Sequence, residues 1–140
     1  MLSSRRFSVD EIESIIEEAE TYDLIGRSIL HQFSIDKIRQ EFNGIGPDRM
    51  GNKYRKILTF LGHRYLSATM IHDMDYVKGG TKKDFHDSNF RLKKNLQKIL
   101  SQLFSKWNPW YWVERLAIHI IYDICEDVGW EGFHKKVISF

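Results

Sequence analysis

The chain has 140 residues, 42% of them hydrophobic and 14% aromatic, enough for one packed core and too apolar for a disordered segment. A formal net charge of +2 is too small to point to nucleic acid as a partner. With one cysteine, Cys125, neither an internal disulfide nor a cysteine metal cluster can form within the chain, which fits a reducing cytoplasm.

Residues 1–10 are polar, with Arg5 and Arg6 but no apolar run behind them, so no secretory signal is expected. Ser8-Val9-Asp10-Glu11 is a capping box that opens an amphipathic helix to about Thr21. Its apolar stripe is Ile12, Ile15, Ile16 and Ala19, and Glu13, Glu17, Glu18 and Glu20 are expected to face water. A short helix is expected from Ser34 to Phe42. Asn43-Gly44-Ile45-Gly46-Pro47-Asp48 breaks regular structure.

A long helix is expected from Lys53 to Val77, capped by Asn52 and open to loosening at Gly62. Lys78-Gly79-Gly80 ends it. Thr81, with Asp84 three residues on, caps the next helix, which is expected to reach Ser105 and to bury Phe90, Ile99 and Leu103. Trp107-Asn108-Pro109 starts a last helix over Trp110 to Val128. Its most apolar stretch carries Glu114, Arg115, His119 and Asp123, so it suits a core and not a bilayer. The fold class is therefore all-α.

Chemistry gathers around the glycine turn. Ile71-His72-Asp73-Met74-Asp75-Tyr76 precedes it and Asp87-Ser88-Asn89-Phe90 follows. His72 is seven residues before Gly79, and Asp87 is seven after Gly80. Folding back as a helix hairpin would put them at one depth, giving a histidine base, an orienting carboxylate and Asp73 as a metal-type ligand. The glycines of 43–48 suit a loop that turns its carbonyls inward, as calcium sites often require. A plain turn between helices is the simpler account of that loop taken alone.

Together, Asn-Gly-Ile-Gly-Pro, Ile-His-Asp-Met-Asp-Tyr and Asp-Ser-Asn-Phe resemble the phospholipase A2 fold, closest to its compact viral and phage forms. The resemblance covers about residues 42–96 and more loosely the final helix. It implies a helical extension over 1–41, a core of two antiparallel helices with a calcium-type loop over 42–106, and a C-terminal helix and tail over 107–140. It further implies His72 as base, Asp87 as its orienting carboxylate, Tyr76 as a helper and the Gly46 N–H as oxyanion donor. A calcium ion would be held by Asp73 and the carbonyls of Gly44, Gly46 and Asp48, or in a shifted register Phe42, Gly44 and Gly46. The implied reaction is calcium-dependent hydrolysis of glycerophospholipid esters by water, with a phospholipid or membrane surface as transient partner. Two departures stand out. Ile45 and Thr69 occupy the positions of the family's usual disulfide, and the segment between Gly46 and His72 is long, with a basic patch at Arg55 and Lys56.

Other accounts of the same residues exist. Asp84 could replace Asp87, while Asp75 and His86 read as exposed polar groups. His63, His119 and His134 read as structural, and Cys125 as a buried apolar residue. Trp107, Trp110 and Trp112 read as core or helix-packing residues, and Lys82, Lys83, Lys93 and Lys94 as a solvated face. Two rival functions follow. One is an interaction protein that kept the fold and lost the chemistry. The other is a helical metal phosphohydrolase with His31, His72, Asp73 and Asp123 or Asp127 as ligands.

Overall fold

The computed structural model describes residues 7–44 and 50–133. Six α-helices carry the fold: α1 (Val9–Thr21), α2 (Ile35–Glu41), α3 (Gly51–Leu61), α4 (Leu66–Lys78), α5 (Lys82–Leu103) and α6 (Pro109–Val128). Short 3-10 turns lie at Arg27–His31, Gly62–Tyr65 and Gly129–Gly132. Among the described residues there is no strand, as the sequence leads one to expect.

Helix starts follow local chemistry. Ser8 and Glu11 close the capping box of α1, with Ser8 Oγ accepting from the Glu11 N–H at 3.1 Å. Thr81 and Asp84 do the same for α5, and the Asn108 side chain caps α6 with Pro109 behind it. The expected cap of α3 is not used. That helix starts at Gly51 after Met50, and Asn52 lies inside its first turn.

The long helix expected over 53–77 is two helices. Gly62 has φ +76° and ψ −164°, outside the helical region and open to a residue without a Cβ. The Gly62 N–H still bonds to Leu58, and a 3-10 turn then restarts the chain as α4. At the other end of α4, Gly79 (φ +68°) and Gly80 (φ +140°) reverse the chain into α5.

α4 is the centre of the molecule. It packs against α1, α2, α5 and the turn Arg27–His31, and nearly every residue from Ser67 to Tyr76 is buried. The core runs continuously from Ile12, Ile15 and Ala19 of α1 through Met70 and Met74 to Ile118, Ile121 and Cys125 of α6. No helix of the described residues is long and apolar enough to cross a membrane.

The phase of α5 departs from expectation. Its inner stripe is Phe85, Asn89, Leu92, Leu96 and Ile99, spaced three or four apart. Phe90 and Leu103 fall off that stripe and are exposed. On α6 the inner stripe is Tyr111, Glu114, Ile118, Ile121 and Cys125. Trp110 and Trp112 therefore face outward, as does Trp107 before the helix, and none of the three is a core residue.

Candidate functional site

α4 presents His72, Asp73 and Tyr76 next to the hairpin. His72 and Tyr76 are one turn apart, share the face toward α5, and hold their rings 4.3 Å apart. Opposite them stands Asn89, fixed there by the inner stripe of α5. Its Oδ1 accepts from Tyr76 OH at 2.7 Å and from His72 Nε2 at 2.9 Å. A carbonyl oxygen can only accept, so His72 carries its proton on Nε2. The Asn89 amide nitrogen donates to Glu126 Oε2 of α6 at 2.6 Å. His86 Nδ1 donates to the other Glu126 oxygen at 2.8 Å. The polar chain thus runs from the core outward: His72 and Tyr76, Asn89, Glu126, His86.

Aromatic rings close over this chain. Tyr76, Phe85 and Phe133 form a small cluster with Trp130 against it. Tyr76 meets Phe133 edge-on at 5.2 Å. Gly129 makes room for the phenol: a Cβ there would stand 2.3 Å from Tyr76 OH.

Asp87 is not the partner of His72. Its carboxylate accepts from Lys83 Nζ at 2.7 Å, and its side chain is 49% exposed. Equal distance from the turn sets depth along a hairpin but not helix face. Asp87 shares the outer stripe of Lys83, Phe90 and Lys94, and Asn89 takes the inner position. Asp84 is used as the helix cap and is not a substitute.

His72 is 2% exposed. Burial pushes its pKa down to about 4; the Asn89 hydrogen bond opposes the shift and the nearby Arg91 charge adds to it. The imidazole is neutral across the physiological range, as a general base must be. Burial also raises the Tyr76 phenol far above its ordinary value. Cys125 is buried, its thiol pushed up by desolvation, and it makes a hydrogen bond with buried Tyr54. Asp73 is half-buried, and its charge reaches Tyr54, Tyr76 and Cys125.

Of the expected calcium ligands, Gly46 and Asp48 lie outside the described residues, as does His134. Gly44 (φ +84°) packs against Leu66 and Phe7. Leu66 is seven residues before Asp73, about 10 Å along the axis of α4. With the Cys125 thiol protonated and His72 Nε2 engaged, neither of these groups offers a transition-metal ligand beside Asp73.

The residues of the phosphohydrolase alternative stay apart. His31 bonds to Glu20 at 3.2 Å on the surface, and Asp123 and Asp127 are exposed. Among the described residues no group of three or more His, Cys, Asp or Glu could hold a metal. Asp75, expected at the surface, is buried and accepts from Arg91 Nε at 3.0 Å. Three of the four lysines expected on a solvated face cover aromatic rings: Lys82 over Trp130 at 4.2 Å, Lys93 over Tyr122 at 4.9 Å and Lys94 over Phe90 at 5.3 Å.

Sequence reasoning missed Asn89 and Glu126. Asn89 was legible, because Phe85, Leu92, Leu96 and Ile99 fix the stripe that contains it. Glu126 leaves no such signal, standing beside the inner stripe of α6 and meeting Asn89 only through tertiary packing. No family model, curated protein or solved structure matches the chain.

Proposed function

We propose that the chain is a phospholipase A2-like esterase acting on glycerophospholipid esters, with His72 as the base and Asn89 in the place expected for Asp87. The observation that carries this is the pair of bonds on Asn89 Oδ1, from His72 Nε2 and Tyr76 OH. They hold the imidazole as the Nε2–H tautomer and leave Nδ1 to take a proton from water. An asparagine serves here because Glu126 draws its amide nitrogen away, so that its oxygen faces His72. In the wrong orientation the amide would donate to the ring and favour the opposite tautomer. The neutral amide supports the imidazolium formed in the reaction less than a carboxylate would, so turnover is expected to be slow.

Asp73, with the carbonyls of Gly46 and Asp48, would hold calcium, and the Gly46 N–H would donate to the developing oxyanion. Bound there, the ion would supply polarisation of the ester carbonyl. A second reading, an interaction protein without turnover, is favoured by the near-complete burial of His72.

Hydrolysis of mixed phospholipid vesicles, followed with and without calcium, separates the two. Wild-type protein should release fatty acid in a calcium-dependent way, and His72→Gln should abolish it. The rate should rise with pH through about 4 and then level, since only neutral His72 accepts a proton. Equal rates for wild type and His72→Gln would refute the esterase. If calcium also fails to raise the melting temperature relative to Asp73→Asn, the interaction protein is the surviving account.

A further inference from the structure

The far end of α6 carries a surface that the His72 chain does not use. Trp107, which precedes the helix, is 94% exposed and Leu116 is 62% exposed. Between them Trp110, Trp112 and Val113 also face solvent, and Phe60 of α3 meets the Trp110 ring at 5.6 Å. Single exposed apolar residues are ordinary, but a run of tryptophans with aliphatics marks a contact surface.

The rings are held in place. Trp110 Nε1 and Arg64 both donate to Glu114, which is fully buried and also accepts from Tyr65 OH at 2.5 Å. Trp112 Nε1 donates to the Lys106 carbonyl at 2.9 Å, and Arg115 lies 6.0 Å from the Trp112 ring centre. Each tethered indole has its N–H satisfied within the chain and leaves apolar ring exposed.

The charge around the surface has one sign. From residue 49 to 72 the sequence has no acidic residue, and from 88 to 122 its single acidic residue is Glu114. Lys53 and Lys56 stand on the α3 stripe of Phe60, seven and four residues before it, and both are exposed. Lys106 is exposed beside Trp107.

From this geometry we infer that the Phe60–Trp107–Trp112–Leu116 face docks on an anionic lipid surface. Indoles favour the bilayer interface, aliphatics enter its edge, and lysines reach anionic headgroups on long stems. Leu116 and Val113 would gain nothing from phosphates or bases, which disfavours nucleic acid. The surface lies about 20 Å along α6 from Glu126, so it is a tether and not the substrate's way to His72. It does not rest on the esterase proposal.

The test is co-sedimentation of the full chain with phosphatidylcholine vesicles, with and without about a third phosphatidylglycerol. Binding is expected to the anionic vesicles, with a blue shift of tryptophan fluorescence and weakening as salt rises. Lys53→Glu with Lys56→Glu should weaken binding by about tenfold or more, and Trp107→Ala with Trp112→Ala should do likewise. These side chains are exposed, and circular dichroism would show each variant folded. His72→Gln should bind as wild type does, which separates docking from catalysis. No binding to either vesicle, or binding that both double variants retain, would overturn the inference. So would self-association or oligonucleotide binding that the same variants abolish, since the face would then serve a second copy or a nucleic acid.

Discussion

Glu114 and Glu126 stand twelve residues apart on α6, about 18 Å along its axis, and each gathers donors from other helices. Glu114 is fully buried and accepts from Arg64, Tyr65 and Trp110. Glu126 is only partly buried and accepts from Asn89 and His86. The same residue type on one helix therefore does two jobs. At the first end a guanidinium and two aromatic donors surround a carboxylate out of water, and its bonds tie the 3-10 turn Gly62–Tyr65 to α6. At the second, the carboxylate stays near water and orients a neutral amide, which in turn orients a histidine. Burial and the charge of the partners decide between holding a structure and setting a tautomer.

The difference should be largest in stability. Arg64→Ala removes the cation from a fully buried carboxylate, and a loss of about 3–5 kcal/mol is expected in denaturant unfolding. A loss under about 1 kcal/mol would mean that the first end is as loosely held as the second.

Acid should expose the second end. His72 is held at about 4 when folded, against 6.5 when free. The unfolded chain therefore takes up a proton as pH falls through 6.5, and the folded chain does so only near 4. The stability associated with neutral His72 is complete above pH 6.5 and drains away toward pH 4, by about 3 kcal/mol in all. Asp75 and Glu18, both raised above the ordinary carboxylate value by burial, act with the opposite sign. The difference between wild type and His72→Gln isolates the histidine: from pH 6.5 to 4 the wild type's unfolding free energy should fall relative to the variant's by about 3 kcal/mol. Parallel curves would show that His72 is not held neutral by burial.

The two ends also differ in how far the sequence revealed them. Capping boxes at Ser8 and Thr81 and the glycine pair at 79–80 act within a few residues, so the elements they define were legible. The face of α5 was legible too, from the spacing of Phe85, Leu92, Leu96 and Ile99. The pairing of His72 with Asp87 fails because equal distance from a turn sets depth along the hairpin and not the face a residue takes. Neither carboxylate of α6 could be assigned from the chain alone. Glu114 meets Arg64 fifty residues away and Glu126 meets Asn89 thirty-seven away, and no local period encodes such meetings. Trp110 packs on Phe60 of α3, as a helix-packing residue would, while the outward facing of Trp107 and Trp112 is hidden in the sequence for a related reason. A strongly apolar helix hides which stripe goes inward until a buried polar residue such as Glu114 is seen to share it.

The smallest stability effect is expected at Glu126, with the largest consequence for His72. Glu126→Ala removes a partly exposed acceptor, so water can replace it, and the cost should be about 1 kcal/mol. What changes is the freedom of the Asn89 amide. Without the carboxylate behind it, the amide can turn and present its nitrogen to His72. Tyr76 OH can accept from that nitrogen as readily as it donates to the oxygen, so it does not prevent the turn. A donor facing Nε2 favours the Nδ1–H tautomer, which removes the lone pair from the position where a base is needed. Nitrogen-15 shifts of the His72 ring should therefore move from the Nε2–H form toward a mixture containing Nδ1–H. His86→Ala, which leaves the Asn89–Glu126 bond in place, should not move them. If Glu126→Ala leaves the ring in the Nε2–H form, Tyr76 and local packing suffice to hold the amide, and the contrast between the two ends of α6 is one of burial alone.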